Sequence, residues 1–152
     1  MKQKYTSANT SINSKRLPAI YGNLNLKETG MTIDYGCGKF FDSYHLPETV
    51  KGYDPFNRPD EAVLGYHYNS AICSNVLNVI MEEDVREEVL TTLANLADTV
   101  YITVYEGTGS GVGAVTKKDC YQLNRKKREY LPELKKVFSS VTQNRGMFIC
   151  HN

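Results

Sequence analysis

Apolar residues in this chain gather into short runs divided by polar and glycine-rich stretches. Met31–Tyr35, Thr49–Tyr53 and Ser70–Ser74 read as short strands, because a strand covered on both faces shows a near-continuous apolar run rather than an alternation. Thr99–Tyr105 joins them through its β-branched and aromatic residues. Between the last two runs, Val85, Val89, Leu90, Leu93 and Leu96 recur at helical spacing, and Glu82-Glu83-Asp84 places acid at a helix N-terminus, so Glu82–Ala97 is predicted to be a helix. Shorter elements fill the rest. A helix is expected around Leu17–Leu24 with Pro18 in its first turn. Phe40–Leu46 has room for one or two helical turns before Pro47 stops them. A short strand is expected in Ala62–Tyr66, and a helix over Lys126–Phe138 with Pro132 inside or dividing it. Met147–Cys150 reads as a terminal strand after the Asn144-Arg145-Gly146 turn, and Glu106–Gly113, with its four glycines, as a mobile loop. The connection between the first two strands is short for a parallel crossover, which normally takes a dozen or more residues.

Alternating strands and helices predict an α/β fold: a Rossmann-like, mostly parallel central sheet with helices on both faces and a terminal antiparallel strand. A length of 152 residues fits one domain and is enough to bury a core. Residues 1–25 read as a polar arm with a short helix, and residues 26–152 as the domain. Charge alters the picture little. The net charge is +1, so no global field draws the chain to nucleic acid, and any basic surface is local. The run Arg125-Lys126-Lys127-Arg128 with Lys135-Lys136 is such a place; it reads as a solvated helix face or as a phosphate contact. Lys15 and Arg16 read as a solvated pair or as a contact to an anionic ligand. Four scattered cysteines without C-x-x-C spacing read as reduced thiols rather than a disulfide framework or a zinc site. No apolar run spans a membrane and no signal-peptide core opens the chain, so a cytoplasmic protein is expected and no metal site is assigned.

The candidate chemistry centres on Asp34-Tyr35-Gly36-Cys37-Gly38, at the carboxyl end of the first strand. Open α/β sheets bind their ligands at strand carboxyl ends, and glycines there allow positive φ and close approach of a ligand to the backbone. A dinucleotide turn needs a third glycine where Phe41 stands. The P-loop pattern is absent around Gly36 and around Gly107. What remains is an Asp-x-Gly-x-Gly turn followed, at the end of the second strand, by Asp54-Pro55-Phe56. Asp54 lies roughly 20 residues downstream of Asp34, the spacing of a ribose-binding carboxylate; the alternative is an Asp-Pro turn residue.

This combination resembles the class I S-adenosylmethionine-dependent methyltransferases. The matching residues are Asp34-Tyr35-Gly36-Cys37-Gly38, Asp54, and Cys73-Ser74-Asn75-Val76-Leu77-Asn78-Val79-Ile80. Within that superfamily the chain is most similar to the small methyltransferase-like proteins associated with DNA phosphorothioation, through Gly52-Tyr53-Asp54-Pro55-Phe56, Val76–Ile80 and, more loosely, Tyr121-Gln122. The resemblance runs from about Thr10 to the end of the chain. It departs at Phe40, where a further glycine is common, and at Ser74-Asn75, where many relatives carry an acid nearby. The Asp/Asn-Pro-Pro-Tyr/Phe motif of exocyclic-amine methylation in DNA is missing.

The resemblance implies S-adenosylmethionine as cofactor and S-adenosylhomocysteine as product. It assigns the binding to Asp34, Tyr35, Gly36, Cys37 and Gly38, to Asp54, Pro55 and Phe56, and to Ser74, Asn75 and Val76. Asp54 would hold the ribose, the glycines would approach the amino-acid end, and Asn75 and Val76 would line the cleft near the sulfonium. Methyl transfer needs chiefly that the nucleophile be positioned, and a base only if the acceptor arrives protonated. Tyr35, His67, Asn75, Tyr105 and Glu106 are the candidates, with no choice among them. Two readings stand: a methyltransferase with a small-molecule or macromolecular acceptor, linked to DNA modification or its control, or a non-catalytic S-adenosylmethionine-binding regulator acting through a partner or as an oligomer.

Overall fold

The computed structural model describes residues 3–7 and 15–152; residues 8–14 of the expected polar arm lie outside the described residues. Six strands form one sheet: β1 (Thr32–Tyr35), β2 (Val50–Tyr53), β3 (Tyr68–Ser74), β4 (Ala97–Thr103), β7 (Ser140–Asn144) and β8 (Met147–His151), in the order β2-β1-β3-β4-β8-β7. The first four are parallel, with Asp34 opposite both Gly52 and Ile72, and Ser74 opposite Thr103. β8 runs antiparallel to β4 and to β7. β5 (Ala114–Lys117) and β6 (Cys120–Gln122) form a separate hairpin. This is the Rossmann-like, mostly parallel α/β sheet with an antiparallel terminal strand expected from the sequence, and the chain order reverses at β1, which pairs with β2 on one side and β3 on the other.

Strand alternation divides the core between two faces. Ala71 and Cys73, Val100 and Ile102, and Phe148 and Cys150 point to one face, where α2 (Glu83–Leu96) and α3 (Leu131–Val137) bring Leu90, Leu93 and Leu134. Ile72, Met147, Tyr101 and Ile149 point to the other, covered by Ile20 and Tyr21 of a 3-10 helix at Ala19–Asn23 and by Leu26 of α1 (Leu26–Thr29). Helical elements thus lie on both faces, unequally: the two longer helices share one. Arg86 is buried between them, where its guanidinium donates to Glu133 Oε1 at 2.6 Å and to the carbonyls of Ile80 and Met81. No helix among the described residues is long and apolar enough to cross a membrane.

Several expectations need correcting. Ala62–Tyr66 does not form a strand; Glu61–Gly65 is a 3-10 helix whose first turn is capped by Asp60, which accepts from the Ala62 N–H at 3.2 Å. β3 begins instead at Tyr68, and β4 begins and ends two residues earlier than the apolar run had placed it. The expected helix over Lys126–Phe138 is divided: Lys127–Tyr130 is a 3-10 turn, and Pro132 then sits in the first turn of α3, where its missing N–H has no partner to lose. The helix expected around Leu17–Leu24 is the 3-10 helix Ala19–Asn23, with Pro18 as its N-cap residue. The short crossover between β1 and β2 is made by one 3-10 turn, Phe41–Tyr44. It fits because Phe41 lies against Gly52, where a Cβ would come within 2.8 Å of the ring.

Candidate functional site

The cleft opens at the carboxyl ends of β1 and β3, where the strand order reverses. The chain leaves β1 through Gly36 and Gly38, at φ +82° and +72°. Their turn is tied to the end of β2: the N–H groups of Gly36 and Cys37 both donate to the Tyr53 carbonyl, at 2.7 and 3.1 Å. The two glycines differ in what surrounds them. A Cβ on Gly36 would run into the Val76 side chain, whereas one on Gly38 would meet nothing within 4 Å. Gly36 thus lets two loops close on each other, and Gly38 leaves a backbone edge facing open space.

Asp54 links these loops. Its Oδ2 accepts from the Gly38 N–H at 3.0 Å. Its Oδ1 accepts from the N–H groups of Phe56 and Asn57, at 2.9 and 3.0 Å, and from Asn57 Nδ2 at 3.2 Å. Its backbone also pairs with Arg58. The carboxylate is therefore both the turn-forming group of the Asp-Pro segment and the bridge to the glycine turn. A carboxylate offers about four acceptor positions; Oδ2, holding a single donor, keeps one for a ligand.

The cleft comprises two adjoining cavities, of about 130 and 450 Å³. Of the residues singled out in the sequence, Tyr35, Gly36, Gly38, Asp54, Pro55, Phe56, Asn75 and Val76 line the first. Asn75 holds a left-handed conformation, φ +56°, with its N–H donating to Thr103 O at 2.9 Å. Asp34, Cys37 and Ser74 do not line it. Asp34 is buried on the opposite face of β1, where Tyr21 donates its hydroxyl to Oδ2 at 2.6 Å. Burial raises the Asp34 carboxyl to about 6, the Tyr21 hydrogen bond works against that rise, and the Asp54 charge adds to it. Cys37 packs with Phe41 and Val50, and burial foremost pushes its thiol up to about 12. The Ser74 hydroxyl accepts from that of Thr103 at 3.2 Å.

The proton-transfer candidates separate by place. Tyr35 and Asn75 face the cleft. Burial raises the Tyr35 phenol well above its ordinary range, with the neighbouring Tyr53 and Cys73 adding to the effect. His67 precedes β3 and pairs with Asp98 at 2.7 Å, at the amino ends of the strands, far from any ligand in the cleft. Tyr105 and Glu106 follow β4 but line neither cavity: Glu106 Oε2 accepts from the Lys127 N–H at 2.8 Å. Among the described residues, no lysine or arginine lines either cavity. In the basic run, Arg125 is paired with Glu133 at 3.2 Å.

The loop after β3 is held from behind. Asn78 Nδ2 donates to Gln122 Oε1 at 3.0 Å, and Gln122 Nε2 donates to the Tyr105 carbonyl at 2.9 Å. Asn124 fastens the glycine loop expected to be mobile, accepting from the Thr108 N–H and donating to Val112 O. Sequence reasoning missed Val79, Ile80 and Val89 as cleft residues, and also Gln3, Thr6 and Ser7. Val89 carries a readable signal, since it falls on the apolar stripe of α2. The three polar residues near the N-terminus carry none.

No family model matches the chain, and no curated protein matches it. Among solved structures it is similar to magnesium protoporphyrin IX methyltransferase from Synechocystis. With SAM bound in that enzyme, the match is 20% identical at a TM-score of 0.45, covering 81% of this chain and 70% of the other. With SAH bound, it is 19% identical at a TM-score of 0.47, covering 81% and 74%.

Proposed function

We propose that the chain binds S-adenosylmethionine in this cleft and transfers its methyl group to an acceptor. The observation that carries the reading is the convergence of the open backbone edge at Gly38, the Asp54 carboxylate and the Asn75-Val76 turn on one cavity at the switch point of the sheet. In this reading Asp54 Oδ2 accepts a ribose hydroxyl. Pro55 and Phe56 flank the adenine. The amino-acid end lies along Gly36 and Gly38, and Asn75 and Val76 border the sulfonium. The cofactor supplies an activated methyl group, so the chain's own task is to position the nucleophile and exclude water.

The lining favours an acceptor of a particular kind. Among the described residues, its side chains are mainly apolar, with Tyr35 and Asp54 the titratable groups of the first cavity. In this reading Asp54 is engaged by the loops and the ribose, and Tyr35 is a poor base because burial disfavours its phenolate. Such a site suits an acceptor that brings an unprotonated nucleophile. A link to DNA modification draws on the sequence resemblance alone. A regulatory protein that binds the cofactor without turning it over is the second reading; Glu88, at the second cavity, is the carboxylate an enzyme would have to use there.

A titration of the full chain with S-adenosylmethionine and S-adenosylhomocysteine, read by thermal shift, tests the binding. A labelled-methyl screen against cell extract then separates enzyme from regulator. Stabilisation with label transfer supports the first reading, stabilisation without transfer the second, and no stabilisation by either compound overturns both.

A further inference from the structure

The wall of the cleft that no motif anticipates is built by residues 3–7. Gln3 and Thr6 face both cavities, and Ser7 faces the first. Three contacts hold the segment there. The Lys4 N–H donates to Glu82 Oε2 at 2.9 Å, just before α2. The Tyr5 ring stacks on Tyr121 of β6, with centroids 5.2 Å apart and planes within 13°. The Ser7 N–H donates to Asp119 O, in the turn of the β5–β6 hairpin, at 3.0 Å. The segment therefore runs between α2 and the hairpin along the mouth of the cleft.

Its attachment is light. None of the five residues belongs to a core cluster, and Lys4, Thr6 and Ser7 are exposed. Beside the Lys4 contact, Glu82 Oε1 is buried without a partner among the described residues while Oε2 serves Lys4. Segments with few buried contacts open at small free-energy cost.

We propose that residues 3–7 are a strap that closes the ligand cleft. It lifts off Tyr121 to admit a ligand, and on returning holds the ligand under Gln3 and Thr6. The proposal rests on the reading of the cleft as a cofactor site. The Tyr5–Tyr121 stack then governs how fast a bound ligand escapes, and the strap shields the space over Asn75 and Val76 from water.

The test uses the full chain with S-adenosylhomocysteine as probe. Two variants loosen the strap: Tyr5→Ala removes the stack, and Lys4→Pro removes the donor to Glu82. Both positions lie outside the core, and circular dichroism verifies the fold. Tyr5→Ala is expected to release the probe about tenfold faster, the upper end of what a stacked aromatic pair contributes, with Lys4→Pro in the same direction. Hydrogen exchange reads docking without any ligand: the Lys4 and Ser7 amides exchange slowly in the wild type, faster in Tyr5→Ala, and more slowly still with probe bound. Release from both variants at the wild-type rate overturns the strap while leaving the cofactor reading intact. A wild type that binds no probe overturns the cofactor reading, and exchange then decides the strap by itself. Free-chain rates at Lys4 and Ser7 then refute docking over the cleft, and rates as slow in Tyr5→Ala as in the wild type refute a strap held by the stack; protection that Tyr5→Ala removes upholds a segment that docks over the cleft and opens.

Discussion

Asp54→Ala is the perturbation that reaches both the stability of the cleft and its affinity for ligand. In the folded chain the carboxylate accepts from the backbone N–H groups of Gly38, Phe56 and Asn57 and from the Asn57 side chain. Alanine leaves three backbone donors without their acceptor. Each costs about 1–3 kcal/mol when buried, and because these loops face water on one side the low end applies, about 3 kcal/mol in all. For a chain of 152 residues that lowers the melting temperature by about 6–12 °C. Asp54→Asn keeps an oxygen for Phe56 and Asn57 but turns an N–H toward that of Gly38. It costs about 1–2 kcal/mol. Thermal unfolding by circular dichroism without ligand gives these values. Calorimetry with S-adenosylhomocysteine on the folded variants gives the second effect. Loss of a hydrogen bond to a charged group weakens binding by about 1.5–3 kcal/mol, or about 10- to 150-fold. A lowered melting temperature with unchanged affinity would refute the ribose assignment and leave Asp54 a turn residue. Unchanged values of both would refute the bridging geometry as well.

Other predictions follow from the same contacts. Gly36→Ala is expected to lower stability by more than the roughly 1–2 kcal/mol of left-handed strain alone, because its Cβ also meets Val76; chemical denaturation measures it. Asp34 has a folded pKa raised from 3.8 to about 6, so its contribution is fully present below 3.8 and is lost as pH rises through about 6. Wild-type stability should therefore fall across that window by on the order of 3 kcal/mol. Asp34→Asn, which keeps an acceptor for Tyr21, should flatten that part of the pH profile and be the more stable protein near neutrality. Arg86→Ala strips Glu133 of its main partner and leaves the Ile80 and Met81 carbonyls unpaired. Breaking a buried pair of this kind costs about 3–5 kcal/mol, visible in urea unfolding.

The parts of the fold that the sequence made legible are those where local and tertiary demands agree. β1, β3 and β4 are apolar because both faces are covered, and α2 keeps its stripe because that face meets the sheet. β7 was missed because it is an edge strand with Val141 as its apolar residue. The β5–β6 hairpin was missed because β5 is exposed throughout. Neither buries enough to write a pattern. The strand expected at Ala62–Tyr66 failed because Val63 and Leu64 pack on the core from a capped 3-10 turn instead. That the glycine turn, Asp54 and Asn75-Val76 meet at one cavity was legible because turns need particular residues. Asp34 was misplaced onto the ligand side because alternation along β1 sends its side chain to the face of Tyr21. The bridging of two loops by Asp54 could not be read from sequence, since it depends on where Gly38, Phe56 and Asn57 point their N–H groups.

The central claim is that the open edge at Gly38 is where a cofactor lies. Its most direct test is calorimetric titration of S-adenosylhomocysteine into the wild type and into Gly38→Val. The Gly38 Cβ position meets no protein atom, so the valine intrudes on the ligand's space rather than the core, beyond the strain of its positive φ. Saturable single-site binding to the wild type is expected, with its loss in Gly38→Val and the circular dichroism of the folded chain retained. No heat from the wild type at millimolar ligand, or equal affinity in the two proteins, would contradict it.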